Sequence, residues 1–172
     1  MKGKYVGITI PGDNKQLTLC EVEAYTIPAS KIVPVSASQS STHKNAVAAN
    51  GIDGNTSNGC KWKETSNPVV WTNNDSALDK KNPWWQADFG TEKTLSYLEV
   101  IPRIDVNTLK NFEVSVGNNP DPLKNPTCGD KNPNNGADPV VVDCHLKGRY
   151  VSIFLRDTQT NMGFCEVNFY GY

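Results

Sequence analysis

The two ends of this chain carry the same two sequence blocks at the same separation. Lys2-Gly3-Lys4-Tyr5-Val6 returns as Lys147-Gly148-Arg149-Tyr150-Val151, and Cys20-Glu21-Val22 returns as Cys165-Glu166-Val167. Gly3 to Cys20 and Gly148 to Cys165 are each 17 positions, so both blocks recur at an offset of 145. A fixed period marks a repeated structural unit. Pro11–Leu19 and Arg156–Phe164 share no residue between the matched ends, as expected of a surface loop joining two constrained strands. The expected organisation is one complete module over residues 28–172, with residues 1–27 the tail of a preceding copy in a tandem array. Lys2-Gly3-Lys4 leads into an alternating strand rather than the apolar core of a signal peptide, so Met1 is expected to be an added start, with any secretion signal upstream.

A module of 145 residues is large enough to bury a core of its own. The net charge is −1 with both signs scattered, which leaves no electrostatic footprint for nucleic acid or anionic membrane. No apolar run approaches the ~20 residues needed to span a bilayer. Cysteine usage places the protein outside the cell. The complete module holds Cys60, Cys128, Cys144 and Cys165 with no C-x-x-C pair, a pattern of disulfides rather than zinc, and three pairings are open. Cys20 is the repeat equivalent of Cys165, so its natural partner belongs to the preceding copy.

The periodic stretches alternate at period two. Phe112, Val114 and Val116 form one such set, Val151, Ile153 and Leu155 another, and Leu98 and Val100 a third; Val140-Val141-Val142 is short and β-branched. These predict strands. Only Lys44–Asn50 has the composition for a helical turn or two, ending at Gly51. Asn-, Pro- and Gly-rich links, the longest over 65–82 and 118–139, complete an all-β pattern expected to fold as a β-sandwich jelly roll with its function in the loops. Catalysis has little support, because His43 and His145 are the only histidines and neither lies beside a Ser or Cys motif. Asn74-Asp75-Ser76 is a glycosylation acceptor pattern on the 65–82 link; Asn55-Thr56-Ser57 also fits the pattern but is expected to be engaged in cation binding instead.

Three blocks then converge. Val35-Ser36-Ala37-Ser38-Gln39-Ser40-Ser41-Thr42, Ala49-Asn50-Gly51-Ile52-Asp53-Gly54-Asn55 and Asn82-Pro83-Trp84-Trp85-Gln86-Ala87-Asp88-Phe89-Gly90 resemble, in order, the F-type lectins or fucolectins. Gly148-Arg149-Tyr150-Val151 and Cys165-Glu166-Val167 resemble that family's closing strands. The resemblance implies a discoidin-like β jelly roll that is secreted, often tandem, calcium-containing and typically fucose-binding. It assigns calcium to Asn50, Asp53, Asn55, the backbone of Gly59 and Glu166, where a tight loop supplies carbonyls and two carboxylates supply charge. The competing reading makes Asp53-Gly54-Asn55 a plain turn and Glu166 a solvated strand residue; Glu21, repeating Glu166, favours the ion. The resemblance also pairs Cys60 with Cys165 and Cys128 with Cys144, worth about 4.7 and 3 kcal/mol at most in the chain-entropy model.

For sugar, the family uses a His shortly after the first cysteine, then Arg-x-Asp, then a basic residue. Arg103-Ile104-Asp105 and Lys110 satisfy the last two parts, and charged donors of this kind grip sugar oxygens well. The competing reading is a strand-end ion pair and a solvated Lys. Trp62 stands where the family has His, and Val106-Asn107 where relatives carry an adjacent-cysteine platform. Trp62 or Trp71 can supply a stacking face instead, or can pack under the long loop. Trp84 and Trp85 are expected to pack in the core and sheet. Two functions follow: a calcium-stabilised lectin for fucosylated or related glycans that gains avidity from adjacent repeats, or a protein-recognition module that meets a protein receptor through the same loops.

Overall fold

The computed structural model describes residues 7–23, 28–62, 68–72, 81–133, 139–158 and 160–172. Among the described residues the module has seven antiparallel strands: β1 (Ser30–Ile32), β2 (Ser36–Gln39), β3 (Val70–Trp71), β4 (Trp84–Pro102), β5 (Glu113–Gly117), β6 (Val140–Phe154) and β7 (Gly163–Gly171). The period-two stretches around Leu98–Val100, Phe112–Val116, Val140–Val142 and Val151–Leu155 each lie in or beside one of them. The expected helical segment is a single 3-10 turn at Ala48–Gly51.

Two long strands build both layers of the sandwich. The first half of β4 pairs with β2 and with the second half of β6, which pairs with β5. The second half of β4 pairs with the first half of β6 and with β7, which carries β1 and β3 at its far side. Register shifts between Asp88/Lys93 and between Leu95/Tyr97 let β4 pass from one layer to the other. A bulge reverses which side chains face inward. Accordingly Trp85, Ala87, Phe89 and Leu95 are buried before the second shift, and Leu98 and Val100 after it.

Aromatic packing joins the layers. Trp85 lies edge-on to Phe164 at 5.2 Å and Phe89 edge-on to Phe169 at 5.2 Å, an arrangement that adds to the area the rings bury. The Trp85 indole N–H donates to the Ala48 carbonyl at 2.9 Å, so the core also anchors the 3-10 turn that opens the Asn50–Asn55 loop. Gly148 explains its place in the repeated block: a Cβ there would lie 2.4 Å from the Gly117 Cα, so β5 and β6 approach too closely for any side chain.

Disulfides join Cys60 to Cys165 and Cys128 to Cys144, the pairing the family resemblance implies. Cys20 is an exposed free thiol. Residues 7–23 differ from expectation: none is in a strand and all are exposed, including Ile8, Ile10, Leu17, Leu19 and Val22. The expectation for this segment is order against the module or against a neighbouring molecule; in the single chain residues 7–23 do not pack on the module. Two strands without a third are marginal in water, and the edges of β6 and β7 that its block resembles are occupied within the module by β4, β5, β1 and β3. Tyr5 and Val6, the Asn74 acceptor and most of the 63–80 loop lie outside the described residues.

Candidate functional site

The Arg103-x-Asp105 turn begins where β4 ends at Pro102. Arg103 Nε and Nη2 donate to the two carboxylate oxygens of Asp105 at 3.0 and 2.7 Å. This fork grips with charge and direction together. The Arg103 side chain is only 2 % exposed and that of Asp105 28 %. Burial works to raise the Asp105 pKa, but Arg103's hydrogen bonds and charge, with the backbone N–H of Trp62, outweigh it and hold the carboxyl below its usual range.

Around that pair stands an aromatic cluster drawn from three separate segments. Trp71 comes from β3, and its ring centroid lies 4.3 Å from the Arg103 guanidinium carbon. Trp62, just beyond the 3-10 turn Ser57–Cys60, meets Trp71 edge-on at 5.9 Å. His43 is tilted against Trp71 at 4.3 Å and lies 5.9 Å from Trp62; its backbone N–H donates to the Trp71 carbonyl at 2.9 Å. Lys44 Nζ lies 4.9 Å from the Trp62 centroid. A cation over an indole face gains about 0.5–2 kcal/mol, more as water is excluded. Trp71 thus covers one face of the guanidinium.

Of the residues singled out for sugar, the structure gathers Arg103, Asp105 and Trp62. Lys110 is exposed further along the same loop, with no ion pair to Asp105 among the described residues. Trp71, the other tryptophan offered as a stacking face, packs onto the Arg103 guanidinium. His43 and Lys44 were not singled out. Nothing in their local sequence marks them, because their neighbours arrive from about 20 to 60 residues away through β3–β7 pairing.

The second cluster lies beside the first disulfide. Glu166 on β7 is 4 % exposed, and its Oε2 accepts from the Gly54 N–H at 3.1 Å. Burial pushes its carboxyl up to about 7; Gly54's N–H opposes this and the Asp53 charge reinforces it. Asp53 and Asn55 use side-chain oxygens to accept from the backbone N–H groups of Asn55 and Ser57 at 2.8 and 3.0 Å. Asn50 Nδ2 donates to the Val69 carbonyl at 3.0 Å. A cavity of about 230 Å³ is lined by Asp53, Gly54, Glu166 and the β1 end. Among the described residues no group of three or more His, Cys, Asp or Glu side chains gathers at one point, so a cation here would draw chiefly on carbonyl and amide oxygens, as calcium does. A buried carboxylate beside Asp53 fits that ion, which would relieve the repulsion between them.

The two clusters touch. Gly59 has φ +60, and a Cβ there would meet Ile104 Cδ1 at 2.9 Å. The left-handed backbone and the close approach of the Arg103-x-Asp105 turn both call for glycine.

A two-layer jelly roll whose loops carry a fork-held arginine under aromatic rings belongs to the discoidin-like class of modules. The chain is a member of the F5/8 type C domain family, whose profile matches residues 34–168. A fucolectin from the serum of striped bass (Morone saxatilis) superposes with a TM-score of 0.67 at 25 % identity, covering 80 % of this chain and 46 % of that one. The chain thus spans about half the length of that relative. The lectin domain of lectinolysin, solved with Lewis B antigen, is 26 % identical with a TM-score of 0.63 over 80 % of this chain and 92 % of that one. A Streptococcus pneumoniae fucose-binding module, at 24 % identity and TM-score 0.64, covers 83 % and 98 % and shares the fold. No curated protein sequence matches the chain.

Proposed function

We propose that this chain is a non-catalytic, calcium-stabilised lectin module that binds fucosylated or related glycans, cut from a secreted tandem protein. One observation carries the reading. Arg103 is held in a bidentate fork by Asp105 while its remaining nitrogen, Nη1, is buried without a partner among the described residues. An arginine kept in place by a carboxylate, with donors left over beside indole faces, has the chemistry to grip sugar oxygens and stack on a sugar's C–H face. The glycans named in the lectinolysin and pneumococcal structures are the reason fucose is the first sugar to test. Calcium would be held by Asp53 and Glu166 with oxygens of Asn50, Asn55 and Gly59. Its role is to pin the Asn50–Cys60 loop, and through Gly59 and Ile104 the turn that carries Arg103. Two disulfides support an extracellular location, and adjacent repeats would add avidity.

A second reading, a module that recognises a protein receptor, is favoured by one feature: the Trp71 indole covers the guanidinium a sugar would need. A glycan array run with and without EDTA separates them. Binding to fucosylated glycans that fades on chelation is the expected result. No glycan binding in either condition would move the assignment to protein recognition.

A further inference from the structure

Gly163 opens β7 at the point where three parts of the Arg103 cluster meet. It stands directly opposite Trp71 of β3, and its carbonyl accepts from the Thr108 hydroxyl at 3.1 Å. A Cβ there would lie 2.9 Å from the Val70 carbonyl oxygen, 3.2 Å from Thr108 Oγ1 and 3.4 Å from Arg103 Cδ. The stem of the arginine therefore runs beside space that a side chain on β7 would fill. Neither neighbour yields easily. Met162 ties β3 to β7 next to this point, its carbonyl accepting from the Thr72 N–H and its N–H donating to the Thr72 hydroxyl, both at 2.8 Å. Arg103 is itself fixed by its fork to Asp105. Adding even one carbon to so well packed a place forces its neighbours off their positions.

The same position recurs near the start of the chain with a different side chain. At the offset of 145, Leu17 matches Met162, Leu19 matches Phe164 and Cys20 matches Cys165, so Thr18 stands where Gly163 stands. Met162 and Phe164 are fully buried, and their apolar counterparts on either side of Thr18 fix the register. Threonine branches at Cβ, so a methyl and a hydroxyl would add to the carbon that already collides. We infer that Gly163 is the positioning residue of the Arg103 site. The repeat to which Thr18 belongs cannot seat an arginine in this way, so neighbouring repeats differ in what they bind. This rests on the tandem lectin reading and deepens it: avidity between neighbours requires a surface that offers both ligands.

The test is titration of the full chain and its variants with Lewis B antigen, the glycan of the lectinolysin structure, well below the melting temperature. Circular dichroism confirms that each variant is folded. Gly163→Ala should weaken binding at least about tenfold, and Gly163→Thr, which copies Thr18, should abolish it. Tryptophan emission of both unliganded Gly163 variants should shift, because Trp71 and Arg103 are forced apart. Gly171→Ala is the control. It sets a Cβ against the Thr94 carbonyl at the other end of the same strand, about 26 Å away. It should lower the urea midpoint and leave affinity and emission unchanged. Wild-type affinity in the Gly163 variants overturns the inference and leaves the lectin reading standing. An equal loss of affinity in Gly171→Ala also overturns it, since Gly163 would then serve the fold alone. Should Gly163→Thr fail to fold, Gly163→Ala decides together with Thr108→Val, which removes the hydroxyl bond to Gly163; unchanged affinity in that pair overturns the inference. If the unmutated chain binds no glycan, the lectin reading falls and emission decides the positioning role, which an unchanged spectrum in Gly163→Ala overturns.

Discussion

Arg103 shows how burial changes what a motif residue does. Its side chain is 2 % exposed and its charge is paired with Asp105. Asp105→Ala would leave a guanidinium buried without its counter-charge. Breaking a fully buried pair costs about 3–5 kcal/mol, and because Asp105 is itself 28 % exposed we expect about 2 kcal/mol here. Urea unfolding measures it, and a loss below about 0.5 kcal/mol would mean that water replaces the carboxylate. Arg149 and Asp88 form a more open fork at 2.7 Å for both bonds. Arg149's hydrogen bonds hold the Asp88 carboxyl below its usual value of 3.8, against the opposing effect of burial. A depressed carboxyl contributes stability that is present above its unfolded pKa and is lost as pH falls through the folded one. Asp88→Asn should therefore weaken the fold at neutral pH and flatten its loss of stability below about pH 4. An acid unfolding curve that keeps the wild-type slope would contradict that.

At the scale of elements, the tight points are where strands or loops cross. A Cβ at Gly148 would meet the Gly117 backbone at 2.4 to 2.7 Å, and backbone cannot swing away as a side chain can. Gly148→Ala should cost about 2 kcal/mol or more through forced separation of β5 and β6, read as a lower denaturant midpoint with an unchanged slope. Unchanged stability would show that the two strands can part there. The Asn50–Cys60 loop is tied to β7 by the Cys60–Cys165 disulfide and by the Gly54 N–H to Glu166. If calcium completes that tie, it binds only the folded state. At a hundredfold excess over its Kd it would add about 2.7 kcal/mol, and chelation would remove it. A melting temperature indifferent to EDTA, with no metal by elemental analysis, would return Glu166 to the role of a buried acid.

The whole molecule is a folded module carrying a segment that it does not bury. Residues 7–23 are exposed throughout and form no strand, so truncation before residue 28 should leave the melting temperature of the module within about a degree of the full chain. A marked fall would mean that the segment packs on the module in solution. Its apolar side chains, Ile8, Ile10, Leu17, Leu19 and Val22, are each about half exposed. Covering the exposed half of each one contributes about 1 kcal/mol, which is the thermodynamic case for its completion by a neighbouring module. In that arrangement Cys20 would occupy the place Cys165 holds here.

The fold was legible because its causes are local. Alternation at period two along Phe112–Val116 and Val151–Leu155 specifies strands wherever they end up, and four cysteines without a metal spacing specify disulfides. Arg103-x-Asp105 was legible for the same reason, since two residues of spacing suffice to close the fork. The sequence by itself determined the strands, their inward faces and the paired charges of that turn. Tertiary structure alone decided that β4 crosses between layers at its bulges, that Trp71 lies over the guanidinium, and that His43 and Lys44 join Trp62. Those contacts depend on how β3 pairs with β7 and on where the loop before the Ala48–Gly51 turn lands. No residue carries such a placement in its own neighbourhood, because it is the sum of many strand pairings and of the packing between two sheets.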